Sequence, residues 1–408
     1  MIRATRTQWI KFAVVLALYL IFLVWLRSWL GLVVVPFIFD AYITKKIPWT
    51  WWRESKNRHV VTVMGWVDAI VFALVAVYFV NLYFFQNYVI PSSSLEKSLL
   101  TGDYLFVSKM SYGPRVPQTP LHMPLAQHTL PFFNCKSYLE HPQWDYKRVK
   151  GLGDVQLNDI VVFNFPAGDT VATGVPNDDI YRLSYGAGKE LAKPVDLASM
   201  TPEQQRVVYD YYYQLGREYL KENPQNFGEI ISRPVDRREN YVKRCVGLPG
   251  QTLEIKDRII YLDGKANKEP DNVQYRYLVK TKRPIPDDLA HELGISKEDM
   301  MMYYTDASVY NMPLTEKAKA GLLARKDIVV SIENTPADDA GGLYPLNMYK
   351  NWTTDNYGPV WIPKKGETVK LTIENLPVYE RPIHVYEGNE LAVKDGKIYI
   401  NGKETDEY

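Results

Sequence analysis

Cysteine is nearly missing from this chain, with two thiols, Cys135 and Cys245, in 408 residues. Neither has the paired spacing of a zinc or redox motif. A disulfide between them is the alternative in an oxidising compartment, but the simpler expectation is two free, buried thiols acting as small hydrophobes. A global excess of charge is missing too: 48 Lys and Arg stand against 47 Asp and Glu. That balance leaves no electrostatic footprint for a phosphate backbone, so nucleic acid is not an expected partner. The six histidines, His59, His122, His128, His141, His291 and His384, form no H-E-x-x-H pair, and no serine sits in a G-x-S-x-G elbow. Metal hydrolysis and an ordinary histidine triad both lose support.

What the chain does have is two long apolar blocks. Residues 9–26 contain one charge, Lys11, and the apolar run continues past Arg27 into residues 30–39. Residues 66–85 carry Asp68 alone, which matches the ~20 residues needed to cross a bilayer, and Trp66, Tyr83, Phe84 and Phe85 stand at the ends as interface anchors do. Spans are therefore expected at about 9–26 and 66–85, inside a membrane anchor of residues 1–88. The first block lacks the short core and small-residue cleavage site of a secretory leader and is expected to be retained. Between the spans, loop 41–65 holds Lys45, Lys46, Arg53, Lys56 and Arg58 against Glu54. The positive-inside bias makes this loop cytoplasmic and places everything after residue 86 outside. Arg3, Arg6 and Lys11 pull the other way, so the side of the first residue stays open, as does whether residues 30–39 lie along the interface or re-enter.

Beyond Val89 the pattern changes to short β-branched and aromatic runs between Gly, Pro and Asp turns, at residues 104–107, 160–165, 241–246 and 259–262, which reads as mainly β. Two stretches read as helix. Thr201-Pro202-Glu203-Gln204 is a capping box with Pro at the first helical position, followed by Val207, Val208, Tyr211, Tyr212, Leu215 and Tyr219 at helical spacing. A second helix is expected to start near Thr315 and run through Leu322 and Leu323. An internal repeat aligns residues 253–265 (LEIKDRIIYLDGK) with 391–403 (LAVKDGKIYINGK). Each copy ends in a hairpin signal, Asp263-Gly264 or Asn401-Gly402. Residues 404–408 leave room for only a stub of return strand, so the last hairpin reads as cut short. The expected organisation is a β core at 89–166 and 240–265, a partly helical insertion at 167–239, a second insertion at 266–390, and the repeated hairpin at 391–408.

Chemistry concentrates in two segments. The first is Val89-Ile90-Pro91-Ser92-Ser93-Ser94-Leu95-Glu96, followed by Gly102-Asp103; read blandly, Ser93 and Glu96 are another capping box. The second is Asn240-Tyr241-Val242-Lys243-Arg244-Cys245-Val246-Gly247-Leu248-Pro249-Gly250, where strand alternation puts Tyr241, Lys243 and Cys245 on one face. A serine hydroxyl attacks only when a base takes its proton, and lysine can do that only when neutral. Moving a lysine pKa from ~10.4 to ~7.5 costs about 4 kcal/mol, which burial against apolar side chains can supply. Taken alone, Lys243 would be an ordinary exposed strand lysine.

The serine segment directly after a span, the Gly-Asp turn, Asp159-Ile160-Val161-Val162-Phe163 and the Tyr241–Gly250 run, in that order, resemble the bacterial type I signal peptidases. That resemblance covers roughly residues 66–113, 154–166 and 240–265 and implies a mainly antiparallel β domain. With the spans and the unmatched insertions read above, the expected fold is two N-terminal transmembrane helices, then a mainly antiparallel β domain carrying α/β insertions. The resemblance implies a serine endopeptidase with Ser94 as nucleophile and Lys243 as general base, and an oxyanion hole from the Ser92 hydroxyl and the Ser94 N–H. It needs no metal or cofactor. Its partners would be the signal peptides of exported precursors and the lipid bilayer, at the outer face of the bacterial cytoplasmic membrane. The family has Gly where Ser93 stands and commonly Met where Leu95 stands. It also carries a late G-D-N block, of which Thr354-Asp355-Asn356-Tyr357-Gly358 is only an echo. The competing reading is therefore a catalytically incomplete homologue serving as a membrane-tethered binding module.

Overall fold

The structure is a computed structural model and describes residues 4–133, 135–165, 170–175, 179–302, 304–306, 308–337, 343–346 and 352–408. The chain forms two compact units, one of residues 1–90, 102–155 and 234–239, the other of residues 91–101, 156–233 and 240–408.

In the first unit, helix α1 (Arg6–Leu26) opens on a capping box between Thr5 and Gln8 and ends where Arg27 turns left-handed. The chain then doubles back through a 3-10 turn (Leu30–Val34), helix α2 (Val35–Phe39) and a π turn (Asp40–Thr44). Helix α3 (Arg58–Tyr83) starts at Asn57, whose side chain accepts the His59 N–H. It begins eight residues ahead of the expected span, and it stops before Phe85, which opens a strand. Helices α1 and α3 are both long and apolar enough to cross a membrane, and only 11% and 0% of their most apolar stretches are buried within the protein. Strand β1 (Phe85–Val89) pairs antiparallel with β2 (Tyr104–Ser108).

The stretch that follows β2 is tied down by isolated bridges, Arg115 to Arg148, His122 to Tyr138 and Thr129 to Lys136. A buried acid fixes it: Asp236 Oδ2 accepts the Gln118 N–H (3.0 Å), the Thr119 N–H (2.9 Å) and the Thr119 hydroxyl (2.9 Å). Three donors on one buried carboxylate offset the cost of removing it from water. Cys135 lies in this stretch and is exposed, while Cys245 in the other unit is half-buried; both are free thiols. The expectation of two buried thiols therefore fails at Cys135, which sits in a loop beside the exposed Phe132 and Phe133.

The second unit is built on antiparallel sheets. Strand β3 (Ile160–Asn164) pairs with β6 (Asn240–Arg244), and between them in sequence β4 (Thr170–Ala172) pairs with β5 (Ile230–Ser232). This segment also carries α4 (Ile180–Leu191), α5 (Pro202–Glu222) and α6 (Pro224–Phe227). Helix α5 has the expected Thr201–Gln204 capping box, but its buried face is Arg206, Tyr212, Gly216 and Leu220. Val207 and Tyr211, expected on the apolar stripe, are instead 69% and 57% exposed. The reason is the close packing of α4 on α5. A Cβ at Gly188 would come within 1.7 Å of the Tyr212 carbonyl, and one at Gly216 within 1.7 Å of the Ser184 carbonyl, so the two glycines set the contact line.

Strands β7 (Thr252–Lys256), β8 (Ile259–Leu262) and β9 (Lys265–Ala266) form a meander. Next comes a module with its own core. Strands β10 (Gln274–Thr281), β11 (Tyr304–Asp306), β12 (Val309–Thr315) and β13 (Val329–Asn334) make a sheet in the order β11-β12-β10-β13. Helices α7 (Asp287–Glu292), α8 (Lys297–Met302) and α9 (Glu316–Ala324) accompany it. Thr315 caps α9 as expected, with Leu322 fully buried and Leu323 half-exposed. Strand β14 (Tyr357–Trp361) returns to pair with β7. After α10 (Leu376–Arg381), strands β15 (Leu391–Lys394), β16 (Lys397–Ile400) and β17 (Lys403–Glu404) repeat the meander in the same register. The sequence repeat is thus a structural one, down to its turns: φ is positive at Asp263 and Gly264, and again at Asn401 and Gly402. The Asp263 carboxylate accepts the Thr252 N–H (2.8 Å), as the Asn401 amide oxygen accepts the Glu390 N–H (2.9 Å). The final residues are paired, with backbone bonds joining Tyr408 to Val369 and Leu371 to Asp406.

Candidate active site

Pro91 has no N–H to lend to strand pairing, and after it the chain makes one 3-10 turn, Ser93–Leu95. Ser92 precedes the turn in extended conformation, and its hydroxyl makes no capping bond. Ser93 lies within the turn rather than at its cap, so the bland capping-box reading does not hold. Glu96 instead lies 3.5 Å from Lys97. The turn closes through the Glu96 N–H to the Ser93 carbonyl (2.9 Å), and the Leu95 carbonyl accepts the N–H groups of Ser98 (2.9 Å) and Leu99 (2.8 Å). Ser92, Ser93 and Ser94 are all exposed, with Leu95 half-buried beneath them.

Strand β6 brings the second segment to this turn. Val161 of β3 sits opposite Lys243, and the Lys243 ammonium donates to Ser94 Oγ at 2.7 Å across 149 residues of sequence. The two residues singled out as nucleophile and base thus meet within hydrogen-bond reach. Ser92 shares their turn, two residues before Ser94.

The surroundings of Lys243 differ from the expectation in one respect. It is exposed, not buried against apolar side chains. Partial desolvation still pulls its pKa below the ordinary lysine value. The Tyr241 ring lies 5.9 Å from Nζ and favours the charged form weakly. Tyr241 itself stacks on Phe165, with centroids 4.6 Å apart. Cys245 falls just past the end of β6, and its thiol faces the Gly247 carbonyl at 3.4 Å.

One contributor escapes the sequence. Arg244, the neighbour of Lys243, donates to Ser98 Oγ (2.9 Å) and to the Asn158 carbonyl (2.7 Å). It ties the serine turn to the start of β3. The Asn158 N–H continues that tie to the Cys245 carbonyl (2.7 Å). An Arg beside a Lys carries no spacing signal, which is why only the fold reveals it. The late echo is occupied elsewhere: Asp355 accepts from Arg258 Nε (2.9 Å), and Asn356 Oδ1 accepts the Asp257 N–H (3.1 Å), so both brace the β7–β8 turn. Among the described residues, no group of three or more His, Cys, Asp or Glu could hold a metal ion.

Known proteins resemble this chain in sequence. A signal peptidase I of Helicobacter pylori is 42% identical over 56 residues, which is 14% of this chain and 18% of that protein. Signal peptidase I P of Bacillus subtilis subsp. natto is 20% identical over 279 residues, 68% of this chain and 90% of its own length. A signal peptidase I of Rickettsia prowazekii is 24% identical over 165 residues, 37% of this chain and 56% of its own. No solved structure matches the chain. The family described as signal peptidase, peptidase S26, matches residues 63–291, more than half of the sequence and a range that holds both Ser94 and Lys243, and the chain belongs to that family.

Proposed function

We propose that this chain is a signal peptidase I, a serine endopeptidase that removes signal peptides from exported precursors through Ser94 and Lys243. The observation that carries the reading is the 2.7 Å contact between Lys243 Nζ and Ser94 Oγ. When Lys243 is protonated it donates in that contact; once neutral, its lone pair faces the hydroxyl proton instead. Neutral Lys243 then takes the proton as Ser94 Oγ attacks the scissile carbonyl. Collapse of the tetrahedral intermediate breaks the C–N bond, and the leaving amine takes the proton back from Lys243. Water, deprotonated by the same lysine, hydrolyses the acyl-serine and restores both residues. The developing oxyanion is met by the Ser94 N–H, which lies ahead of the first hydrogen bond of the turn, and by the Ser92 hydroxyl, which is not spent on capping.

The exposure of Lys243 gives the substrate a part in the mechanism. A peptide laid over the serine turn excludes water from Nζ and lowers its pKa further, so the base is completed by binding. Helices α1 and α3 hold the enzyme in the bilayer that carries the signal helix of its substrate, which raises their effective concentration. The enzyme is a multi-pass protein of the bacterial cytoplasmic membrane, with the dyad on the outer side and the basic loop inside.

The test is cleavage of a purified signal-peptide precursor in detergent by the full chain and by Ser94→Ala. Cleavage by the first and not the second is expected. Cleavage by neither would favour a tethered binding role.

A further inference from the structure

The segment between the two long helices follows α1 backwards. The Tyr19 hydroxyl donates to the Gly31 carbonyl at 2.7 Å near the end of α1. Phe39 packs against Phe12 (centroids 5.4 Å apart) and Trp9 (6.3 Å apart) near its start. Leu30–Thr44 therefore runs antiparallel to α1 over most of its length. Gly31 allows this approach, since a Cβ there would come within 2.2 Å of Leu23 Cδ2.

Helix α3 then runs in the same sense as α1. Near its start Gly65 faces Trp52 and Asp68 lies 3.7 Å from Arg53. Both partners belong to the loop whose Trp49 bonds Asp40, next to the Phe39 that packs on Trp9. Phe22 contacts Phe79 and Tyr83 (5.1 and 5.2 Å), and Trp25 contacts Tyr83 (6.4 Å), so both C-terminal ends lie together. Two parallel spans need a third passage between them. Only Leu30–Thr44 precedes the basic loop, and it is apolar. Its outer surface is apolar and unpartnered: Leu30 is 66% exposed and Val33 63%.

The segment ends in a turn that satisfies its own polar groups. Asp40 accepts from the Thr44 hydroxyl (2.5 Å), the N–H groups of Lys46 (2.9 Å) and Ile47 (3.1 Å), and the Trp49 indole (3.1 Å). Irregular backbone at membrane depth is tolerated only when satisfied in this way.

We propose that Leu30–Thr44 is a third crossing, its outer face against lipid acyl chains, which puts the N-terminus and the basic loop at one bilayer surface facing anionic headgroups. Fifteen residues span roughly 22 Å as helix, short of ~30 Å of hydrocarbon. Local thinning and snorkelling of flanking residues cover the difference. Trp29, Trp49 and Trp51, all exposed, flank the segment as interfacial aromatics do. The arrangement also resolves the charge conflict of the sequence. With three crossings Arg6 and Lys11 stand on the same side as Lys45, Lys46, Arg53, Lys56 and Arg58, so every basic cluster obeys one orientation.

The inference rests on α1 and α3 spanning the membrane, and one experiment separates the two claims. Single cysteines are placed in a Cys135→Ser, Cys245→Ser background at Ala4→Cys, Val33→Cys and Ser55→Cys, with Cys135 alone as the marker of the far side. Intact cells expressing the full chain are treated with a membrane-impermeant maleimide, before and after permeabilisation. Cys135 should label in intact cells, Ala4→Cys and Ser55→Cys only after permeabilisation, and Val33→Cys only in detergent. Labelling of Ala4→Cys together with Cys135 in intact cells would overturn the third crossing while leaving the spans intact. So would labelling of Val33→Cys in intact cells, which would put the segment at the interface. Recovery of the chain in the soluble fraction, with Ser55→Cys open to reagent, would overturn the spanning reading itself.

Discussion

The module at residues 274–334 and the serine turn at 92–98 are built to opposite specifications. In the module, Val279, Met312, Leu314, Leu322 and Ile328 are essentially inaccessible and pack into one core. In the turn, three consecutive serines are exposed and the order comes from hydrogen bonds, those within the turn's own backbone and those from one arginine and one lysine. Burial supplies stability in proportion to the apolar area removed from water, whereas a group that must exchange protons with a substrate has to stay within its reach. The contrast predicts that stability and activity can be removed separately.

The largest effect is expected at the turn. Ser94→Ala should lower precursor cleavage on the order of 10⁴-fold or more while thermal unfolding of the detergent-solubilised protein stays unchanged. A large fall in the unfolding temperature would show that the turn carries stability after all. Met312→Ala should do the reverse. Truncating a fully buried methionine costs about 2–5 kcal/mol, read as a lower unfolding midpoint, with cleavage by the folded fraction retained. Loss of cleavage without loss of stability would tie the module to the chemistry.

Arg244 lies between these extremes. Arg244→Gln should lower kcat by on the order of 10–100-fold through misplacement of the turn, with KM and the midpoint of the pH profile little changed. A shifted midpoint would mean that Arg244 acts on the Lys243 charge and not on position. The smallest effects belong to the paired hairpins. Asp263→Ala removes one turn hydrogen bond and should cost about 1 kcal/mol, whereas Asn401→Ala also removes the bond from its amide to Asn389 Oδ1 (2.8 Å) and should cost about 2 kcal/mol. Equal costs would show that the Asn389 bond adds nothing to the second meander.

The meeting of Ser94 with Lys243 is legible in the sequence because each stands in a motif of fixed order, and the turn residues Asp263-Gly264 and Asn401-Gly402 announce their positive φ directly. Helix α5 is legible from its capping box, yet its buried face is not. That face is decided by Gly188 and Gly216, two small residues whose effect depends on a partner helix. The latch of Asp236 on Thr119 spans 117 residues and leaves no local pattern. The same holds for Arg244 on Ser98. The exposure of Lys243 is a further case, because strand alternation gives the face of a side chain and not how much of that face the fold covers.

The central claim is that Lys243 works as a neutral base toward Ser94, and the dependence of cleavage on pH tests it most directly. Protonated Lys243 cannot accept the serine proton, so kcat/KM should rise with pH and level off as the lysine deprotonates, with its midpoint below the ordinary lysine value. If bound substrate covers the exposed Nζ as proposed, the midpoint for kcat should lie lower still. Lys243→Ala should be inactive across the whole range. A profile without that rising limb, or substantial cleavage by Lys243→Ala, would contradict the account.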